Sequence, residues 1–382
     1  MVPRFKGWRA YANCLRGYYE YKRGVSRLKS RPVKLIFDPT NACQLACPLC
    51  PTGLGMIDRR TGHADLRLFR RLMEQVGDYV FLIDFFNWGD PLLNPHLEEF
   101  IAVARSYNII STVSSNLSLR LTDERINRLL TCGVNEIIVS LDGASAATHT
   151  KYRRKSNFEL ICDNMRRFAE ARRGLGQRGP LLTWQFIVFG FNEHEIERAR
   201  AMAVEFGIDR IIFRPPFLQV DRYRLSDADK HEIASWSPSN PLYHAHIGDP
   251  PRRNRCGWHY TTVAVNWDGT VTPCSTSFRQ ADDFGTFGKA GERPYMDVVN
   301  NAAFQTARAS ISTGNTTEHG LICQRCPTPS IQNYHYYVYR RIAMITCVAL
   351  VDAINRRFLA PVRALLGRVS PHGPESYLAG DV

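Results

Sequence analysis

No apolar stretch of this 382-residue chain reaches the roughly 18 residues that a helical membrane span requires. The first residues are polar and basic, and they lack the apolar centre of a secretory leader. The cysteine count is 11, an odd number, so a disulfide framework is not expected. A reduced, cytoplasmic setting with metal-bound thiols is the expectation instead. The chain also lacks low-complexity tracts and any fixed repeat of roughly 20–50 residues, which argues against a solenoid. Its length allows one large domain or two, with ample core.

Acidic residues are scarce at the two ends. Residues 1–31 hold nine Lys/Arg against Glu20 alone, a charge of +8. Residues 334–382 carry +3 of the total +13, which leaves the middle near neutral. The run Ile342–Val351 is apolar and bracketed by Arg340-Arg341 and Arg356-Arg357. It is too short to cross a bilayer but suits an interfacial helix. Trp8, Tyr11, Tyr18, Tyr19 and Tyr21 add aromatics among the N-terminal basic residues. Peripheral contact with an anionic membrane at its inner face is one expectation. Packing of both ends on the main body is the other, and nucleic acid is the least expected partner.

Against that background stands the run Asn41-Ala42-Cys43-Gln44-Leu45-Ala46-Cys47-Pro48-Leu49-Cys50-Pro51. Cys43, Cys47 and Cys50 follow the spacing C-x3-C-x2-C, directly after the apolar Leu35-Ile36-Phe37. Three thiolates so close can share one inorganic cluster. A cubane iron–sulfur cluster takes four ligands, so one iron stays open to a small molecule. A structural zinc site is the alternative, but no fourth Cys or His lies nearby. A second set follows as C-x12-G-x4-C, with Cys256, Gly269 and Cys274, and then C-x2-C, with Cys323 and Cys326. Four cysteines satisfy a four-iron cluster completely, with a zinc ribbon as the alternative. Residues Val263–Thr272 read as a hairpin turning at Asp268-Gly269, which would bring Cys256 and Cys274 together.

Between Lys34 and Phe213 the pattern alternates. Strands are expected at Lys34–Phe37, Val80–Phe86, Ile109–Ser114, Glu136–Leu141, Leu182–Phe189 and Arg210–Phe213. Amphipathic helices are expected at Leu66–Val76, Pro95–Ser106, Asp123–Leu130, Asn157–Arg173 and Glu193–Phe206. The fold class is therefore α/β: a partial (β/α)6 TIM-like barrel over residues 34–225. A small α+β domain at 250–333 and basic helical extensions at 1–33 and 334–382 complete the expected organisation. Polar residues fall at the strand C-terminal ends: Trp88-Gly89-Asp90-Pro91, Ser115-Asn116, Ser140, Asp142, Gly143, Gln185, Asn192 and Arg214. Each alone is ordinary turn chemistry. Together they share the face that carries the three-cysteine loop.

On these residues the chain resembles a radical S-adenosylmethionine (SAM) enzyme with a SPASM domain, in the shortened twitch form that has one auxiliary cluster. The resemblance covers about residues 34–327. It implies SAM and two [4Fe–4S] clusters as cofactors, one catalytic at Cys43, Cys47 and Cys50, one auxiliary at Cys256, Cys274, Cys323 and Cys326. It places Leu49 near the adenine and gives the backbone of Trp88, Gly89 and Asp90 the methionine amino group. Asn116, Ser140, Asp142 and Gln185 match cofactor-binding positions, and Arg153 resembles the arginine that pairs with the carboxylate. The activity implied is reductive cleavage of SAM to a 5′-deoxyadenosyl radical that abstracts hydrogen. A reducing partner such as flavodoxin or ferredoxin is implied with it. The auxiliary cluster would then accept an electron. Cys132 and Cys162 read as bottom or outer positions, away from any quenching role, which favours an oxidative outcome.

The first expectation for the substrate is a small molecule: a sugar, a cyclitol or a lipid-linked group. Peptide maturation ranks second, because residues 1–33 are too short for a typical leader-binding domain. A non-catalytic iron–sulfur or zinc protein that binds nucleic acid is the reading of a different class.

Overall fold

The computed structural model describes residues 6–176, 179–218, 220, 223–244, 256–313, 322–325, 338–344 and 346–347. An N-terminal helix, α1 (Trp8–Arg23), precedes β1 (Lys34–Phe37). Then follow α2 (Leu66–Val76), β2 (Leu82–Asp84), α3 (Leu97–Ser106), β3 (Ile110–Ser115), α4 (Asp123–Thr131) and β4 (Glu136–Ser140). Next come α5 (Ala146–Tyr152), α6 (Phe158–Arg173), β5 (Leu181–Ile187), α7 (Ile196–Phe206) and β6 (Arg210–Arg214). After α8 (Asp227–Ala234) and α9 (Trp258–Thr261) the chain forms β7 (Thr262–Val265), β8 (Thr270–Thr272) and β9 (Gly285–Thr286). Helices α10 (Tyr295–Val299) and α11 (Ala302–Thr313) follow.

The helix starts are set locally. Asp65, Thr122, Ser145 and Asn157 each accept a hydrogen bond from a first-turn amide, of α2, α4, α5 and α6 in turn. Burial then orients each helix. In α2, Leu68, Phe69, Leu72, Met73 and Val76 recur at three- and four-residue steps and are all buried. Each such side chain stabilises the fold by about 1.5–3 kcal/mol relative to exposure.

Strands β1 to β6 pair in parallel in sequence order, as the alternating pattern predicts. One short helix, α5, was not evident from that pattern. Alternation divides every strand between two faces. Leu35, Phe37, Ile83, Val113, Ile137, Val139, Leu182, Trp184 and Phe186 face the helices and form the main core. The opposite face carries polar pairs. Lys34 pairs with Asp84 at 2.5 Å, and Glu136 accepts from Thr183 at 2.7 Å and pairs with Arg210 at 2.5 Å.

The C-terminal segment is joined to this sheet. β7 pairs in parallel with β1, opposite its pairing with β2, and β8 and β9 extend the same nine-stranded sheet antiparallel. The expected hairpin is present, with Gly269 at a φ of 82° in its turn. At the other end of the strands, Ala10 and Cys14 of α1 pack with Val33, Phe81, Leu82, Val338 and Ile342. Residues 338–344 are helical. They send Arg341 to within 3.6 Å of Glu136, so the N-terminal end of the sheet is closed by both chain extensions. Ile345 and Val348–Val351 of the expected interfacial run lie outside the described residues.

Candidate active site at the C-terminal strand ends

The three-cysteine loop is fixed by its own backbone and by the strand that precedes it. Thr40 Oγ1 donates to the Gly62 carbonyl at 2.7 Å and accepts from the Ala42 amide at 3.0 Å. Asn41 accepts from the Gly62 amide and donates to the Arg60 carbonyl. The Cys50 amide donates to the Cys47 carbonyl at 3.2 Å, which closes a turn between the two cysteines. Cys47, Leu45 and Leu49 are buried with Tyr152, Phe189, Tyr223, Ile233 and Trp236, and Cys43 and Cys50 pack at the margin. This apolar cluster is separate from the main core.

Burial pushes the Cys43 thiol up to about 12 and the Cys47 thiol up to about 11. Nearby thiols add to both shifts, while Arg153 opposes the second. Metal binding must therefore displace protons, as is usual for cysteine sites. Among the described residues no three His, Cys, Asp or Glu side chains close on one point. The three thiols lie near enough for their charges to act on one another. A patch of three soft donors fits a polynuclear iron–sulfur cluster, whose metal atoms spread their ligands, better than a single tetrahedral zinc.

Gly89 shows how tightly the next loop lies against this one. A Cβ on Gly89 would meet Thr40 O at 2.0 Å and Ala42 O at 2.7 Å. The Asp90 amide donates to Ala42 O at 2.8 Å. Asp90 itself is buried and accepts from Ser115 Oγ, the Leu92 amide, and both the backbone amide and the side-chain Nδ2 of Asn116. Asn116 in turn accepts from Gln44 Nε2 of the cysteine loop at 2.8 Å. Asp142, also buried, pairs with Arg153 at 2.6 Å and accepts from the Ile187 amide at 2.7 Å. Burial opposes the charge on Arg153, but Asp142 and Cys47 outweigh it and hold the guanidinium firmly protonated.

Of the residues expected at the site, Trp88, Gly89, Asp90, Asn116 and Arg153 lie against the cysteine loop. Asp90, Asn116 and Asp142 spend their polar atoms on the protein and brace the loop from behind. The Trp88 carbonyl accepts from Thr52 Oγ1 at 2.6 Å, which leaves one lone pair. Ser140 and Gln185 are direct register partners on β4 and β5, and Ser140 lies 3.4 Å from Ser114. Gln185 makes no side-chain hydrogen bond among the described residues. Sequence reasoning missed Gln44, Thr52 and Tyr152. Only Tyr152 had a signal, as an aromatic beside Arg153. Asn192 is fully used in shaping its own loop, bonding Asp142 O and Ile187 O.

The second cysteine set lies alongside. Cys256 and Cys274 both pack on Ile36, Trp258 and Ala264, as the hairpin implied. Cys323 Sγ is 3.4 Å from His259 Nε2. Cys326 lies outside the described residues. Arg59 clasps the two regions: it donates to both carboxylate oxygens of Asp283 at 2.8 and 2.9 Å, to Asp268 at 3.1 Å and to Thr270 at 2.7 Å. The Trp88 indole donates to Ser277 O at 3.1 Å. Of the remaining cysteines among the described residues, Cys14 packs under the sheet, while Cys132 and Cys162 lie with the helix layer. Cys347 is exposed.

A profile of the radical SAM superfamily matches residues 37–203, and one of the SPASM iron–sulfur cluster-binding domain matches residues 256–327. PqqA peptide cyclase of Xanthomonas euvesicatoria pv. vesicatoria (strain 85-10) is 24% identical over 319 residues, covering 78% of this chain and 81% of the relative. The PqqA peptide cyclase of Gluconobacter oxydans (strain 621H) is 25% identical, covering 65% and 71%. Among solved structures, Streptococcus suis SuiB bound to S-adenosylmethionine superposes with a TM-score of 0.55 at 14% identity, covering 78% of this chain and 72% of that one. The AdoMet-bound anSMEcpe gives 0.50 at 13%, covering 85% and 100%. These two structures establish the fold. With one profile on the barrel and the other on the segment holding Cys256, Cys274 and Cys323, the chain belongs to the radical SAM superfamily, as an enzyme that uses S-adenosylmethionine and [4Fe–4S] clusters and carries a SPASM iron–sulfur domain.

Proposed function

We propose that this enzyme is an oxidative peptide maturase. Cys43, Cys47 and Cys50 hold its catalytic cluster, and Cys256, Cys274, Cys323 and Cys326 hold the auxiliary one. The observation that carries the peptide reading is the match to PqqA peptide cyclases, which spans about four-fifths of the first relative's length. It reverses the order expected from sequence, where a sugar, cyclitol or lipid-linked substrate came first.

SAM bound at the open iron supplies a carbon radical able to take hydrogen from an unactivated carbon. The chain's own residues do the rest. Leu49, Tyr152 and Phe189 keep water from the reacting centre. The remaining Trp88 lone pair, Ser140 and Gln185 orient the cofactor's polar groups. Arg153, aimed by Asp142, offsets the negative charge that gathers at Cys47. The sheet face that bears Thr112, Ser114 and Ser140 offers hydrogen-bond partners to a peptide backbone. Cys14, Cys132 and Cys162 lie away from the loop, which supports loss of an electron to the auxiliary cluster over hydrogen return from a thiol. A flavodoxin or ferredoxin serves as reductant.

The test is anaerobic reconstitution with reductant, SAM and the short peptides encoded beside the gene. The expected result is 5′-deoxyadenosine together with a peptide lighter by two hydrogens. Unmodified peptides, alongside oxidation of a sugar or cyclitol, would overturn the reading.

We further propose that α1 rests on an anionic membrane surface. Trp8, Leu15 and Tyr19 are 79%, 72% and 60% exposed and fall on one stripe of the helix. Arg9, Arg16 and Arg23 flank that stripe, and Ala10, Cys14 and Gly17 are buried on the opposite side. Among the described residues no helix is long and apolar enough to cross a membrane.

A further inference from the structure

His259 lies in α9, three residues beyond Cys256, and is 5% exposed. Its ring sits between those of Phe284 and Phe304, with centroids 6.3 and 6.2 Å away. Its carbonyl accepts from Arg308 Nε at 3.4 Å, and Arg308 spends its other N–H groups on the carbonyls of Ser26 and Val299. That arrangement fixes the helix turn without engaging the imidazole.

The two ring nitrogens differ. Nε2 lies 3.4 Å from Cys323 Sγ, an ordinary N–H···S separation. Nδ1 is buried with no hydrogen-bond partner among the described residues. A neutral imidazole carries one proton. Placed on Nδ1, it would point into apolar surroundings and leave the Nε2 lone pair against the sulfur lone pairs. Placed on Nε2, it makes a hydrogen bond to a ligand sulfur. We propose that His259 is a positioning residue that donates from Nε2 to the Cys323 thiolate, and so makes the auxiliary cluster easier to reduce.

This inference rests on Cys323 as an auxiliary-cluster ligand. A donor to a ligand sulfur withdraws negative charge from it and favours the reduced cluster, which carries one more electron. The cluster then accepts the electron lost by the substrate radical more readily. The catalytic cluster, held by the Cys43 loop, has no such contact with His259 and should not respond.

The test compares the reconstituted full chain with His259→Phe, which removes the donor, and His259→Gln, which can restore one. Redox titration followed by electron paramagnetic resonance reads both clusters. With full iron content, H259F should shift the auxiliary midpoint to more negative potential, and H259Q should return it toward the wild-type value. The catalytic midpoint should stay put in both. An unmoved auxiliary midpoint in fully loaded H259F would overturn the proposal. Loss of one cluster's iron from both variants would also overturn it, by making His259 a ligand. Zinc at this site in the wild type would instead remove the ligand reading of Cys323, before any variant is made, and this proposal with it.

Discussion

Replacing Gly89 by Ala tests whether the cysteine loop is held by close backbone contact. The added methyl carbon would lie 2.0 Å from Thr40 O, 2.7 Å from Ala42 O and 2.7 Å from Thr40 C. All three are backbone atoms, so no side chain can swing aside. Either loop must move by more than an ångström, and the loop that begins at Thr40 carries Cys43. Overpacking of a tight site costs about 1–3 kcal/mol, and a backbone-only collision belongs at the upper end. A loss of about 3 kcal/mol corresponds to a Tm drop on the order of 4 °C for a chain of 382 residues. Activity should fall further than stability alone accounts for, because misplacing reacting groups by about 1 Å costs roughly a hundredfold in rate. Gly174→Ala is the control. That glycine has φ −64°, and its Cβ would meet only Ala171 O, at 3.7 Å. It should gain about 0.4–1 kcal/mol through the unfolded chain. Thermal melts and 5′-deoxyadenosine formation after anaerobic reconstitution read both variants. Wild-type melting and cleavage by G89A would refute the reasoning.

Changing Cys43, Cys47 or Cys50 to Ala should remove one cluster's iron and abolish 5′-deoxyadenosine formation; full cleavage by any of them would end that assignment. Changing Cys256, Cys274, Cys323 or Cys326 should lower iron content and abolish product while leaving some SAM cleavage, a split that parallel assays of both products measure. Arg59→Leu strands the nearly buried Asp283 and Asp268, and should cost about 3 kcal/mol in chemical denaturation. Asp283→Asn in the same chain should recover part of that loss, and strict additivity of the two changes would argue against the clasp. The full chain should float with anionic liposomes at low salt and release at high salt, since basic residues near such a surface contribute roughly 1 kcal/mol each. Trp8→Ser with Leu15→Ser should weaken that binding, and equal binding to neutral liposomes would contradict the proposal.

The barrel was legible because its signals are local. Strand β1 and helix α2 match their expected bounds at both ends, and most other elements agree to within two or three residues. Periodicity and capping residues such as Asp65 and Thr122 act within a turn or two of where they sit. The pairing of β7 with β1 was not legible. Some 225 residues separate the two strands, and nothing in either tetrapeptide names its neighbour. At the site, sequence found the residue types but not their use. Asp90 and Asn116 look like cofactor contacts at the strand ends. In the fold their acceptors face inward and are consumed by Ser115, Leu92 and Gln44. Arg59 and His259 gave no sign, because each acquires its partners only when distant segments meet.

The parallel pairing of β1 with β7 has a consequence for electron transfer. One cysteine loop leaves the end of β1, and Cys256 and Cys274 flank β7 and its hairpin partner β8. The two cysteine-bearing regions thus hang from adjacent strands of one hydrogen-bonded sheet. Their separation is set by strand spacing and register, which behave as a ruler and not as a hinge. Tunnelling rates fall steeply with distance, so under the proposed assignment of both clusters a fixed span would keep that rate constant from one turnover to the next. On that assignment, substrates of different size would be accommodated by the loops above the sheet, because the distance an electron travels beneath them would not change.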